Sequence, residues 1–126
     1  MKTFAGSILV LFGLGLTGCT THNVAPPPPS SEGADISRSR QKAFDEAVDA
    51  LHSQIHAPKA DIAAVSQDDV TWEDSCLGCA KTAESCKHVM TPGYRIFLRV
   101  RDATYEYHTD RSGHAVRLCG QAGTTQ

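Results

Sequence analysis

The sequence has no excess of positive charge: 12 Lys and Arg stand against 14 Asp and Glu, a formal net charge of -2 over 126 residues. Proteins that hold polyanions by charge carry a basic excess over most of their surface. The balance here therefore excludes a general nucleic-acid binder and confines any anion binding to a local patch. The length excludes a second domain. No apolar run is long enough to cross a bilayer as a helix. Gly-x-Gly occurs at Gly13 and Gly15, inside an N-terminal segment expected to be removed, so it offers no phosphate-cradling loop to the mature chain. Ser75, Asp74 and His88 share one loop, but proximity in a loop does not make a nucleophile, a base and an orienting group. The expectation is a non-enzyme with no cofactor and no metal.

What is present begins with an address. Lys2 is followed by the apolar stretch Phe4 to Leu16, too short for a spanning helix and closing on small residues, which is the pattern of an export signal. Leu16-Thr17-Gly18-Cys19 resembles the lipobox of bacterial lipoproteins, in which an apolar residue and two small ones precede the cysteine that is acylated. That resemblance implies a signal peptide over residues 1–18 and a covalent lipid on Cys19. One acyl chain holds a protein to a membrane only marginally, whereas two or more hold it stably. Thr20 follows the cysteine; in Gram-negative lipoproteins an Asp there favours inner-membrane retention, so the resemblance implies the outer membrane, facing the periplasm or the surface.

Residues 19–36 contain Pro26-Pro27-Pro28-Pro29 and then Ser30-Ser31-Glu32-Gly33, with no apolar periodicity. Consecutive prolines favour an extended polyproline II segment of about 3 Å per residue, so this stretch reads as a tether. The folded unit is expected over residues 37–120, with 121–126 as a flexible tail. At that size a hydrophobic core alone is marginal and cross-links are common.

Within the unit, Phe44, Ala47, Val48, Leu51 and Ile55 recur at helical spacing, with Ser37 or Ser39 as the cap and Pro58 as the stop. Asp45, Asp49, His52 and His56 line the opposite side at i, i+4, i+7 and i+11. The histidine pair has metal-ligand spacing, but with no third ligand implied the stripe reads as a solvated face. Ile62, Ala64, Val70 and Trp72 share a parity that Ser66–Asp69 interrupts, which suits one bulged strand or two short ones. From Gly93 to Arg101, Tyr94, Ile96, Leu98 and Val100 alternate with Arg95, Phe97, Arg99 and Arg101, a strand with one core face. A tight connection at Asp102-Ala103 leads to Thr104–Thr109, and Asp110-Arg111-Ser112-Gly113 leads to His114–Cys119. The expected fold is α+β: one N-terminal helix packed on an antiparallel sheet of about four strands, in the order α-β-β-β-β.

With Cys19 assigned to lipid, Cys76, Cys79, Cys86 and Cys119 remain, an even number in an oxidising compartment, and two disulfides are the expected state. A Cys76–Cys79 bridge would close a very small loop around Leu77-Gly78, which restrains the unfolded chain least. Cys76–Cys86 with Cys79–Cys119 is preferred: the first closes the irregular segment on itself and the second ties it to the last strand. A thioredoxin-type pair at Cys76-Leu77-Gly78-Cys79 would need a helix N-terminus to stabilise the thiolate, and none follows. A structural zinc site would ordinarily show two close pairs, and there is one.

Trp72-Glu73-Asp74-Ser75-Cys76-Leu77-Gly78-Cys79, Thr91-Pro92-Gly93-Tyr94-Arg95-Ile96 and Tyr105-Glu106-Tyr107-His108-Thr109-Asp110 with Gly113 resemble a family of small bacterial secreted proteins and lipoproteins of no established function. The resemblance spans about residues 40 to 119 and implies a structural signature: a loop-anchoring Trp, turn residues and strand aromatics.

Two surfaces stand out for contacts. The loop from Glu73 to Pro92 presents Leu77, Lys81, Lys87, His88 and Met90, the alternative being that Leu77 plugs the core. The strand face of Arg95, Arg99 and Arg101 surrounds an outward Phe97 and adjoins Glu106 and His108 across the hairpin. The expected role is that of a membrane-anchored, non-catalytic interaction module meeting an envelope protein, an anionic lipid headgroup or a cell-wall polymer. The alternative is a protease-inhibitor-like or hydrolase role centred on residues 73–92.

Overall fold

A computed structural model describes residues 25–27 and 31–123. The expected signal peptide, the expected lipidation site Cys19 and half of the expected tether lie outside the described residues.

Helix α1 spans Ser31–Ile55. It begins six residues before the start suggested by the serines, because nothing in Ser31–Ile36 breaks a helix and Glu32 sits in the first turn, where a negative charge opposes the helix dipole. Ser37 and Ser39 are not caps. Their hydroxyls donate to Gly33 O and Ile36 O, both at 2.9 Å, the back-bonding of serines already inside a helix. The C-terminus is set by His56, which turns into the left-handed region (φ 55°), and by Pro58 just beyond. His56 therefore leaves the helix axis, and the expected stripe of Asp45, Asp49, His52 and His56 does not form one face. Asp49 pairs with Lys59, and His52 Nδ1 lies 2.7 Å from Ala57 O.

After a short 3-10 turn at Lys59–Asp61, four strands follow: β1 Ala63–Asp74, β2 His88–Val100, β3 Ala103–Asp110 and β4 Val116–Ala122. They form one antiparallel meander in the order β1-β2-β3-β4, so the architecture is α-β-β-β-β. β1 is a single bulged strand. Its register shifts between Ala64 and Ser66, so Ala64 faces Leu98 while Ser66 faces Phe97. The extra residue, Val65, switches which face the rest of the strand presents, and Val70 and Trp72 end up on the side away from the helix. β2 begins five residues earlier than its alternation indicates, paired as a ribbon with the end of β1, and β4 runs into the segment read as a tail.

The main core lies between α1 and one face of the sheet. Ala43, Ala47 and Leu51 meet Tyr94, Ile96, Leu98, Val100, Tyr105 and Tyr107, all buried, with Phe44, Val48, Ile55, Val116 and Leu118 closing the margin. Two alanines in the helix stripe let a helix lie close against large strand aromatics. On the other face the loop between β1 and β2 folds back over the sheet; Cys76–Cys86 closes the loop on itself and Cys79–Cys119 ties it to β4. The molecule thus has three layers: helix, sheet and cross-linked loop.

Candidate functional site

The face away from the helix is organised around Trp72. Its indole crosses β2 at Gly93 and donates from Nε1 to Thr109 O at 3.0 Å on β3. A Cβ at Gly93 would stand 1.9 Å from Thr109 O and 2.8 Å from the indole nitrogen, so only glycine leaves room for this crossing. The ring then stacks on His108, with centroids 4.0 Å apart and planes inclined by 20°. Both imidazole nitrogens are engaged: Nδ1 at 2.7 Å from Leu77 O and Nε2 at 2.8 Å from Glu106 Oε1. A carbonyl only accepts, so Nδ1 is the donor to Leu77.

The loop that closes this network is built from Asp74. Its Oδ1 accepts from Cys76 N at 2.8 Å and Gly78 N at 3.1 Å, turning the chain so that Leu77 and Gly78 adopt left-handed φ values of 59° and 66°. The turn seats Gly78 on the Trp72 ring and drives Leu77 into the interior at 1% exposure. Of the two readings of Leu77, contact residue and core plug, the structure shows the plug: it fills a second small core. Farther along, Glu84 receives both terminal nitrogens of Arg117, at 2.5 and 2.8 Å. Those bonds and the Lys81 amide hold its carboxyl down at about 2.

The sequence-selected residues separate into four places. Arg95, Phe97 and Arg99 share the face away from the helix, as their alternation requires. Across the sheet Arg95 stands opposite His108 and Asp68, and Phe97 opposite Glu106. The Arg95 guanidinium lies 5.7 Å from the Trp72 ring centroid with Nε 3.4 Å from Glu106 Oε1. Half-buried Phe97 borders a shallow hollow of about 210 Å³ with Thr104, Glu106, Gly120, Gln121 and Ala122. Arg101 does not join them. It occupies the two-residue turn between β2 and β3 at φ 54° and lines a cleft of about 380 Å³ with His56, Asp61 and Tyr105 at the C-terminal end of the helix. Lys81 overhangs a larger cleft, about 800 Å³, between α1 and β4. At its base the Tyr107 hydroxyl donates to Gln54 at 3.2 Å; burial, then the neighbouring Tyr105, pushes this phenol up to about 12. His88 lies with Glu73, Val89 and Met90 on the β1–β2 ribbon.

Among the described residues, Ser75, Asp74 and His88 do not come together as a nucleophile with a base. Asp74 is spent on the Cys76 turn, the Ser75 hydroxyl accepts from Lys87 N at 2.9 Å, and His88 is exposed. Metal-type donors converge at Cys79, Cys119 and His108, and again at Cys76, Cys86 and Asp74, but all four cysteines are committed to bridges.

Comparison with protein-family models matches residues 44–118 to a domain of unknown function, DUF8738. The chain belongs to the DUF8738 family. No curated protein and no solved structure matches it. The matched span opens in the buried helix stripe at Phe44 and closes in β4 at Leu118, so the DUF8738 unit contains the Trp72–His108 network and three of the bridged cysteines and stops one residue short of Cys119.

In this DUF8738 domain, sequence reasoning placed Glu106 and His108 beside the arginine face but did not identify His108 as buried structure. The available signal was parity: His108 lies out of phase with Tyr105 and Tyr107, in phase with Glu106, and opposite the face that the helix covers. That the second face also has a cover depends on where the Cys79–Cys119 bridge lands the loop.

Proposed function

We propose that the chain is an envelope lipoprotein, acylated at Cys19, whose domain serves as a non-catalytic interaction module. The observation that carries this reading is the Arg95–Phe97–Arg99 row. It presents a half-buried aromatic ring between two cationic side chains on the inner strand β2, with the neighbouring strands β1 and β3 joined by the Trp72–Thr109 hydrogen bond and the Trp72–His108 stack. An aromatic ring flanked by arginines is the composition of an interface anchor, since such residues supply large contact area and directed donors. Because Glu106 and Asp68 border the same row, its charge is locally compensated, which favours a mixed protein or cell-wall surface over a uniformly anionic one. The inhibitor-like reading has no support of this kind, as Leu77 is buried and the loop lies flat on the sheet.

A photoreactive phenylalanine analogue at position 97 in cells tests the reading. The expected result is a discrete adduct that the double variant Arg95→Glu, Arg99→Glu loses. No adduct, or one indifferent to both arginines, overturns the interaction surface.

A further inference from the structure

Among the described residues, the large apolar side chains left exposed are Ile36, Val65, Val89 and Met90, at 42%, 53%, 49% and 64%. Three of them lie at one end of the molecule. β1 and β2 continue past the last β2–β3 pair, Gly93 with Asp110, as a two-stranded ribbon in which Trp72 faces Thr91 and Asp74 faces His88. The connecting loop does not extend this ribbon. It folds back, held by the bridges, by Leu77 against His108 and by Glu84 on Arg117, so Val89 and Met90 stand at the extremity. The start of α1 is at the same end: Ile36 lines a hollow with Arg111, and Arg111 N donates to Pro92 O at 2.9 Å, two residues from Met90. Val65 sits at the opposite end of β1, beside the pair Ser66 and Phe97.

The chain enters the domain at Ser31, at this apolar end. If Cys19 is the acylated residue, as proposed above, eleven residues separate the lipid from the helix, and even fully extended they span under about 40 Å. We infer that this end, led by Val89 and Met90 with Ile36 beside them, docks on the bilayer into which Cys19 is anchored. The occupant is a lipid surface, and apolar burial drives the contact. Lys87, Arg111 and Arg38 at this end stand against Glu32, Asp35, Glu73 and Asp110, so it carries no cationic excess, and Arg38 is already paired with Asp35 at 2.9 Å. Insertion of a few apolar side chains to the headgroup boundary is the mode such a surface supports, with little dependence on anionic lipid or salt. Docked this way, the Arg95–Phe97–Arg99 row runs along the flank of the domain and stays open to partners.

The test uses the acylated full chain in vesicles of zwitterionic lipid. A nitroxide is attached through a ketone-bearing unnatural side chain, which leaves the cysteines untouched, at position 90, 36 or 65. The expected result is a label at 90 and 36 reached by oxygen from the bilayer and at least about tenfold less accessible than 65 to a water-soluble relaxation agent. Val89→Asp with Met90→Asp should return the label at 36 to the aqueous value while the protein stays on the vesicles. Labels at 90 and 65 equally aqueous on vesicle-bound, acylated protein overturn the docking and leave the anchor standing. A chain that carries no acyl group in cells overturns both. Surface positions were chosen so that the fold is retained, and intact disulfides by mass in each variant check this.

Discussion

Adding one methyl group at Gly93 should unfold much of what holds the loop layer to the sheet. In an ordinary strand Gly→Ala is neutral or favourable, because alanine gives up less conformational entropy. Here the new Cβ would lie 1.9 Å from Thr109 O and 2.8 Å from Trp72 Nε1. The first contact is with backbone, which cannot rotate aside, so β2 and β3 must part, and the second displaces the indole. If the indole leaves, its hydrogen bond to Thr109 is lost with a buried donor behind it, about 1–3 kcal/mol. The stack on His108 goes with it, about 0.5–1.5 kcal/mol. Strand displacement adds more of the kind seen in overpacked cores, about 1–3 kcal/mol. The sum is about 2.5–7.5 kcal/mol, a large fraction of the stability of a domain this small. At about 4–8 °C per kcal/mol the thermal midpoint should fall by at least about 10 °C. Urea and thermal unfolding followed by fluorescence of Trp72, the single tryptophan, measures it with the bridges intact. Gly120→Ala is the control: its Cβ would meet Glu106 Oε2 at 3.3 Å, the end of a side chain that can shift, and should cost under about 1 kcal/mol. Gly93→Ala within 1 kcal/mol of the parent, or Gly120→Ala equally damaging, would refute the crossing as a packing constraint.

Three further outcomes follow from the bridges, the loop and the buried plug. The bridges close spans of 40 and 10 residues, so in the chain-entropy account loss of Cys79–Cys119 costs about 4 kcal/mol and loss of Cys76–Cys86 about 3 kcal/mol; paired Cys→Ala variants compared by urea unfolding should rank in that order. Glu84 sits near 2 rather than its usual 4.5 because of Arg117, so its contribution is present above about pH 4.5 and is lost as the pH falls toward 2; Glu84→Gln should flatten the stability profile across that window and leave it unchanged in shape near neutrality. Leu77→Ala should destabilise by about 2–5 kcal/mol in the same unfolding assay, as for any buried leucine, without altering capture at position 97.

The helix and three of the strands were legible because their apolar residues repeat at 3.6 or 2. Phe44, Ala47, Val48, Leu51 and Ile55 point inward as their spacing requires, and Tyr94 to Val100 form the central strand. The helix start was not legible, since Ser31–Ile36 is exposed throughout and a polar helical overhang carries no periodic signal. Ala43, buried at the helix centre, is too small to mark a stripe. Arg101 continues the alternation of its strand yet belongs to the turn, because the hairpin closes with two residues and a left-handed backbone there. Leu77 is the ambiguous residue. An apolar residue in a long loop is read the same way whether it meets a partner or plugs the fold, and the difference lies in the long-range contacts of its carbonyl with His108 and of the neighbouring Gly78 with Trp72, which no local pattern encodes.

The measurement that bears most directly on an anchored interaction module is metabolic labelling with palmitate of the intact chain and of Cys19→Ser. The account predicts a labelled, membrane-fractionating parent and an unlabelled variant that leaves the membrane fraction. Label retained at the N-terminus of Cys19→Ser, or a parent that is never labelled, would contradict it.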